Sequence, residues 1–280
     1  MTLWWATVGH CAEVCDRCFG TFDKERTSRR LRWLHFPKAG LTFQETIYRW
    51  ACPNLGAFNG RSYVKLHRES RRDPQLLESY CDRQVDGTMP GHPPVDERML
   101  DRTVAMFRDP SQRIISAFRD RKHADGFQDE DKEATWRHLN QAAFARHPGI
   151  AGCMTRMLQN GKCARARRVR DNFSALGAAS NVRRLAFVGL VEHWNTSICL
   201  FHKVFGGKPQ PDQFKIGHSS RANEMGRGRT NKLVPYDTKL LDGFVDADDE
   251  LVYNTAKEVF EGFLSRFAPN CSSQTLLHGN

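Results

Sequence analysis

The chain has 280 residues, 40% of them hydrophobic and 26% charged, proportions that suit a folded globular protein and exclude a disordered or fibrous one. Forty-two Lys and Arg against 32 Asp and Glu give a formal charge of +10, which favours an anionic partner without naming it. No run reaches the ~18 consecutive apolar residues of a membrane span; Leu3 to Val8 is short and is followed at once by His10, Cys11, Glu13 and Asp16.

Residues 1–30 show no clear period and end in the charged run Lys24 to Arg30, which reads as an N-terminal extension. Cys11, Cys15 and Cys18 with His10 offer one C-x-x-C spacing and no second pair, which argues against zinc. Leu31 to Phe36 alternates apolar and polar residues as a strand does. Pro37 to Gly40 break the pattern, and Phe43, Ile47 and Trp50 follow at helical spacing. A second strand is expected at Ser62 to Leu66, a helix from Pro74 to about Arg83, and a loop from Gly87 to Pro94. Thr103 to Phe107 is the third strand. Asp109 and Pro110 supply an N-cap and a first-turn proline for a helix carrying Ile114, Ile115 and Phe118.

Helical sequence dominates from about Asp129 to Ser180, with Cys153 and Cys163 close enough to staple a loop. An apolar strand at Leu185 to Leu190 leads to a helix with Trp194, Ile198, Phe201 and Phe205 in one stripe. Gly206 to Pro235 is a long loop rich in Gly, Lys and Arg, of the length that lids have. The last helix opens on Asp246, Asp248, Asp249 and Glu250, acids suited to a positive helix end, and turns Val252, Ala256, Val259, Phe263 and Phe267 inward. Strands alternating with helices predict an α/β fold with a central, mostly parallel sheet flanked by helices. With no internal repeat and no linker, one domain over residues 31–270 is expected, followed by a tail at 271–280.

Two segments carry the chemistry. In LHFPKAGLTF a strand runs through a tight turn into a helix, a layout that points backbone N–H groups and the positive helix end at one anion. Lys38 adds a point charge, Gly40 allows close approach of the backbone, and Thr42 brings a hydroxyl to the first helical turn. A Walker loop places its lysine after the second glycine; here Lys38 precedes the glycine, and the strand at Thr103 to Phe107 ends in Arg108 rather than in a carboxylate for Mg²⁺. The second segment is FRDPSQRIISAF. Arg108 closes a strand and Ser116 follows it on a helix, a guanidinium fork and a hydroxyl suited to one phosphate, with Arg113 as further charge.

The first segment resembles the 5′-phosphosulfate loop of the glycan-directed sulfotransferases, whose pattern is P-K-T-G-G-T-S. Ala39 stands in place of Thr, Leu41 in place of the second Gly, and Phe43 in place of a small residue. The second resembles that family's 3′-phosphate motif, an Arg at a strand end with a Ser eight residues on, and FVGLVEHWNTSICLFHKVFGG resembles a downstream block. The resemblance implies a P-loop-like three-layer fold and 3′-phosphoadenosine 5′-phosphosulfate (PAPS) as sulfuryl donor, with no metal required. It assigns Lys38, Ala39, Gly40, Leu41, Thr42 and Phe43 to the 5′ end of the donor and Arg108 and Ser116 to the 3′-phosphate. The expected acceptor is a hydroxyl, on a glycan.

Gly91-His92 resembles the step at which uronyl-type members place a catalytic histidine, which makes His92 the candidate base, with His35 beside the turn as its rival. Arg227, Arg229 and Lys232 of the long loop are candidates to close over an anion. The chain reads as soluble with no visible targeting segment. Its compartment stays open between the Golgi lumen, for a chain separated from an N-terminal anchor, and the cytoplasm. Two other functions stay open: a nucleotide or nucleoside kinase of related topology, and a basic nucleic-acid-binding module.

Overall fold

The computed structural model describes residues 15, 30–53, 81–83, 85–86, 92–120, 139–147, 149–163, 172–211, 213–214 and 235–269. The expected strand at Ser62 to Leu66, Gly91, the trio Arg227, Arg229 and Lys232, and most of the expected helix from Pro74 lie outside these residues.

The elements, in chain order, are β1 (Leu31–Leu34), α1 (Phe43–Ala51), β2 (Val85–Asp86), β3 (Thr103–Phe107), α2 (Pro110–Asp120), α3 (Gln141–Ala145), α4 (Cys153–Met157), α5 (Ala175–Val182), β4 (Phe187–Leu190), α6 (Trp194–Phe205) and α7 (Ala247–Phe267), with 3-10 turns at Glu97–Arg102 and Thr238–Leu241. The strands form one parallel sheet in the order β2-β1-β3-β4, with Trp33 opposite Val104 and Ala105 opposite Val188. Every residue of β3 and β4 is buried. Continuous apolar runs of this kind belong to strands covered on both faces, as parallel strands joined through helices are.

The helices expected after β1, β3 and β4 and the last helix form where their patterns put them, whereas Cys81 to Arg83, the described end of the helix expected from Pro74, is not helical. Asp109 accepts a hydrogen bond from the Gln112 N–H at 2.9 Å and caps α2 behind Pro110. Asp246 caps α7, accepting from the Asp249 N–H. Of the mostly helical sequence expected from about Asp129 to Ser180, the described residues hold three short helices, α3, α4 and α5. The buried stripe of α7 also differs from the expected one. Val252, Ala256, Phe260 and Leu264 are buried, whereas Val259, Phe263 and Phe267 lie half-buried at the margin of the core. Both sets follow helical spacing, and the i, i+4 row through Phe260 is the one buried in the core, while Phe263 packs at its margin against Phe187 of β4 at 6.1 Å.

An aromatic cluster joins α1, β4 and α6. Phe43 lies parallel to Phe187 at 5.9 Å and meets Trp194 and Phe201 edge-on at 5.8 and 5.6 Å. A smaller core, built from Ile114, Ile115, Phe144, Ile150, Tyr236 and Leu241, fixes the outer side of α2. Three disulfides, Cys15–Cys199, Cys52–Cys81 and Cys153–Cys163, cross-link the described residues. Cys15 is fully buried in the main core. The boundary expected at residue 30 therefore leaves out a residue that belongs to the core, and the sulfur of Cys15 is taken from the suggested His10, Cys11, Cys15 and Cys18 group. No helix among the described residues is long and apolar enough to cross a membrane.

Candidate functional site

In the strand order β2-β1-β3-β4 the chain leaves β1 toward one side of the sheet and returns to its other side at β3. Open parallel sheets bind ligands at such a reversal, outside the carboxyl ends of the two strands. Lys38 follows β1 and Arg108 follows β3, so both sequence candidates stand at that position.

The turn after β1 owes its shape to two residues in left-handed backbone, Lys38 at φ 66° and Gly40 at φ 73°. At Gly40 the requirement is also spatial: a Cβ there would lie 3.2 Å from both Trp194 and Val191. The Ala39 N–H donates to the Phe36 carbonyl at 3.1 Å and the Phe43 N–H to the Gly40 carbonyl at 2.9 Å. Among the described residues the N–H groups of Gly40, Leu41 and Thr42 donate to no backbone carbonyl, which leaves them at the start of α1 as donors for an anion. Ala39 and Phe43 are different. Both are fully buried with their N–H groups engaged, so they shape the turn and do not line it.

Arg108 is 6% exposed and donates from Nη1 to the Lys38 carbonyl at 3.1 Å. The two motifs, 70 residues apart in the chain, are thus in direct contact. The guanidinium lies 5.5 Å from the Tyr236 ring. Its Nε is buried and has no acceptor among the described residues. Burial draws Arg108 below its ordinary pKa, opposed by the charge of Glu192 and by Tyr236, and a guanidinium remains charged under that pull.

Ser116 is buried on α2, one turn before Asp120 and on the same helix face. Asp120 Oδ1 lies 3.3 Å from Lys38 Nζ, which makes Asp120 part of the site although nothing in its local sequence marks it. Burial pulls the Lys38 ammonium below its ordinary pKa, and the charge and hydrogen bond of Asp120 oppose that. Arg113, read from sequence as an extra anion ligand, is committed elsewhere. At 2% exposure it faces Asp249 at 3.4 Å and Asp246 at 3.7 Å and donates to the Ile150 carbonyl at 2.9 Å.

The two histidines weighed as rival bases are neighbours, with ring centroids 4.5 Å apart. His92 Nδ1 lies 2.9 Å from the His35 carbonyl. A carbonyl only accepts, so Nδ1 carries the proton and the neutral ring keeps its lone pair on Nε2. His35 is buried, whereas His92 is half-buried at the carboxyl end of β1.

Two further residues that sequence reasoning missed, besides Asp120, complete the site. Glu192, just after β4, accepts from the Asp109 N–H and from the Tyr253 hydroxyl, each at 3.0 Å, and burial pushes its carboxyl up while Arg108 holds it down. Tyr236 rests between Arg108 and Arg119, the latter 4.8 Å from its ring. The Gln112 side chain grips its backbone on both sides, accepting from the Tyr236 N–H and donating to its carbonyl. The downstream block FVGLVEHW contained Glu192, but its contact with Arg108's neighbour is tertiary; Tyr236 follows a stretch with no periodic signal. No protein-family model, curated protein or solved structure matches the chain.

Proposed function

We propose that the chain is a PAPS-dependent sulfotransferase, of P-loop-like three-layer fold, acting on a carbohydrate hydroxyl. The observation that carries this reading is the bond from Arg108 to the Lys38 carbonyl, which joins the strand end of one anion motif to the turn of the other at the sheet's reversal point. A nucleotide with anionic groups at both ends of an adenosine needs two such anchors side by side, and an ATP-binding loop would need a different glycine and lysine order. The donor supplies a sulfuryl group and a good leaving group: the acceptor oxygen forms the new S–O bond, the S–O bond to the 5′-phosphate breaks, and adenosine 3′,5′-bisphosphate departs.

The chain's own residues then have separate tasks. Lys38 and the N–H groups of Gly40, Leu41 and Thr42 meet the negative charge of the phosphosulfate end and of the leaving phosphate oxygen. Arg108, through its unengaged Nε, and Ser116 hold the 3′-phosphate. His92 takes the acceptor proton on Nε2 while its Nδ1–H bond to the His35 carbonyl keeps the ring turned. A chain of formal charge +10 suits an acidic saccharide.

Calorimetry of the full chain tests this directly. Adenosine 3′,5′-bisphosphate binds without Mg²⁺, and Lys38→Ala lowers sulfuryl transfer from PAPS by about 10²–10³-fold with the circular dichroism unchanged. Binding of ATP only with Mg²⁺ would identify a kinase instead, and binding that tracks polynucleotide and collapses with salt would identify a nucleic-acid module. A panel of glycans and small alcohols with labelled PAPS then identifies the acceptor.

A further inference from the structure

Lys38 has a counter-ion of its own within the chain. Its side chain is 13% exposed, and with Arg108 nearby its charge is opposed both by burial and by a like neighbour. What keeps the ammonium satisfied is Asp120 at 3.3 Å, the last residue of α2. That helix is rigidly placed. Gln112 clamps Tyr236, Arg113 is locked to Asp246 and Asp249, and Asp109 takes the bond to Glu192 through its N–H. Asp120 is therefore delivered to Lys38 by a fixed element, one turn from Ser116.

Resting on the sulfotransferase reading, we propose that Asp120 is a built-in stand-in for the 5′ anion of the donor: it pairs with Lys38 and gives way when the nucleotide's 5′ group arrives. An incoming phosphate and the Asp120 carboxylate carry like charge and compete for the same ammonium, in a setting too buried for water to screen them well. Donor binding at Lys38 is then an exchange of one anion for another. The affinity is set by the difference between the two, and the same carboxylate rejects a ligand with too little charge to displace it.

The test is calorimetry on the full chain with adenosine 3′,5′-bisphosphate and, separately, adenosine 3′-phosphate, which lacks the 5′ group. Asp120→Asn binds the bisphosphate about five- to ten-fold more tightly than the native chain, because the competitor's charge is gone. Asp120→Glu retains native affinity within about two-fold by keeping a carboxylate on the helix end. Adenosine 3′-phosphate shows no gain from Asp120→Asn. Unchanged or weaker binding of the bisphosphate by Asp120→Asn, or an equal gain with adenosine 3′-phosphate, overturns the proposal and leaves the sulfotransferase reading intact. A native chain that binds neither nucleotide removes both. Should Asp120→Asn fail to fold, the carboxyl ¹³C resonance of Asp120 in the native chain, assigned with Asp120→Glu, decides: it moves when the bisphosphate saturates the protein, and a fixed resonance overturns displacement.

Discussion

Gly40 is the residue on which the turn depends most, since it combines left-handed backbone with close packing against Trp194 and Val191. Gly40→Ala adds a strained conformation and a contact that only a shift of these side chains relieves, and is expected to cost about 1–3 kcal/mol, read as a lower urea midpoint with unchanged slope. His92→Ala is expected to lower transfer about 10²–10⁴-fold without loss of nucleotide affinity. Turnover retained in that variant moves the base role to His35, 4.5 Å away. At this scale the sequence was informative for residues whose roles are local. The lysine-bearing turn and the arginine closing β3 stand beside recognisable breaks of pattern, and the structure sets them in contact. Asp120, Glu192 and Tyr236 escaped notice because each acquires its place by tertiary packing: a helix end, a post-strand carboxylate, and an aromatic beyond an aperiodic stretch. Arg113 misled for the complementary reason, a charge in an anion motif whose partners lie in a distant helix.

Among the elements, α2 connects most of the site, and its junction with α7 holds a buried cluster of charge. Asp246 receives the Gly152 N–H on both oxygens, Asp249 receives those of Met154 and Thr155, and Arg113 faces both carboxylates. Arg113→Met leaves two buried carboxylates facing each other and is expected to cost about 3–5 kcal/mol in chemical denaturation. The cluster also has a pH signature. Burial and the charge of Asp249 raise Asp246 from 3.8 to about 7, against the pull of Arg113. The folded state therefore binds more protons than the unfolded one between these values, and this contribution to stability is lost as pH rises through about 7. His202 works the other way. Burial lowers it from 6.5 to about 4, so its contribution is present above 6.5 and is lost as pH falls toward 4. The two slopes oppose each other in the native chain, and Asp246→Asn is expected to expose the second: its urea midpoint falls more steeply than the native one between pH 6.5 and 4.5. Equal slopes would show that Asp246 does not carry the extra proton. The caps of α2 and α7 were legible because Asp before Pro and an acidic first turn are local signals. The buried row of α7 was not, because Phe260 and Val259 both satisfy helical spacing and only the neighbour packed against them decides.

For the whole molecule, the parallel α/β character followed from alternating apolar strands and amphipathic helices, and the sheet order places β1 beside β3 as the proposed donor site needs. What composition left open was the state of the nine cysteines. The six among the described residues are paired, and disulfides persist in oxidising compartments. Chain-entropy estimates rise from about 3 kcal/mol for a bridge like Cys153–Cys163, spanning 10 residues, to about 5 kcal/mol for one like Cys15–Cys199, spanning 184. Thermal unfolding without reductant is expected to show a larger loss for Cys15→Ala than for Cys163→Ala, and the reverse order would mean that the long bridge adds little. The Cys15–Cys199 bond has a topological side as well. It closes a covalent ring through which all four strands pass, from Leu31 to Leu190, while Tyr236 and the whole of α7 lie outside that ring. A single protease cut within the ring, between Cys15 and Cys199, leaves the two pieces of the sheet tied together by that bond. On a non-reducing gel such a cut is silent, and reductant turns it into two fragments.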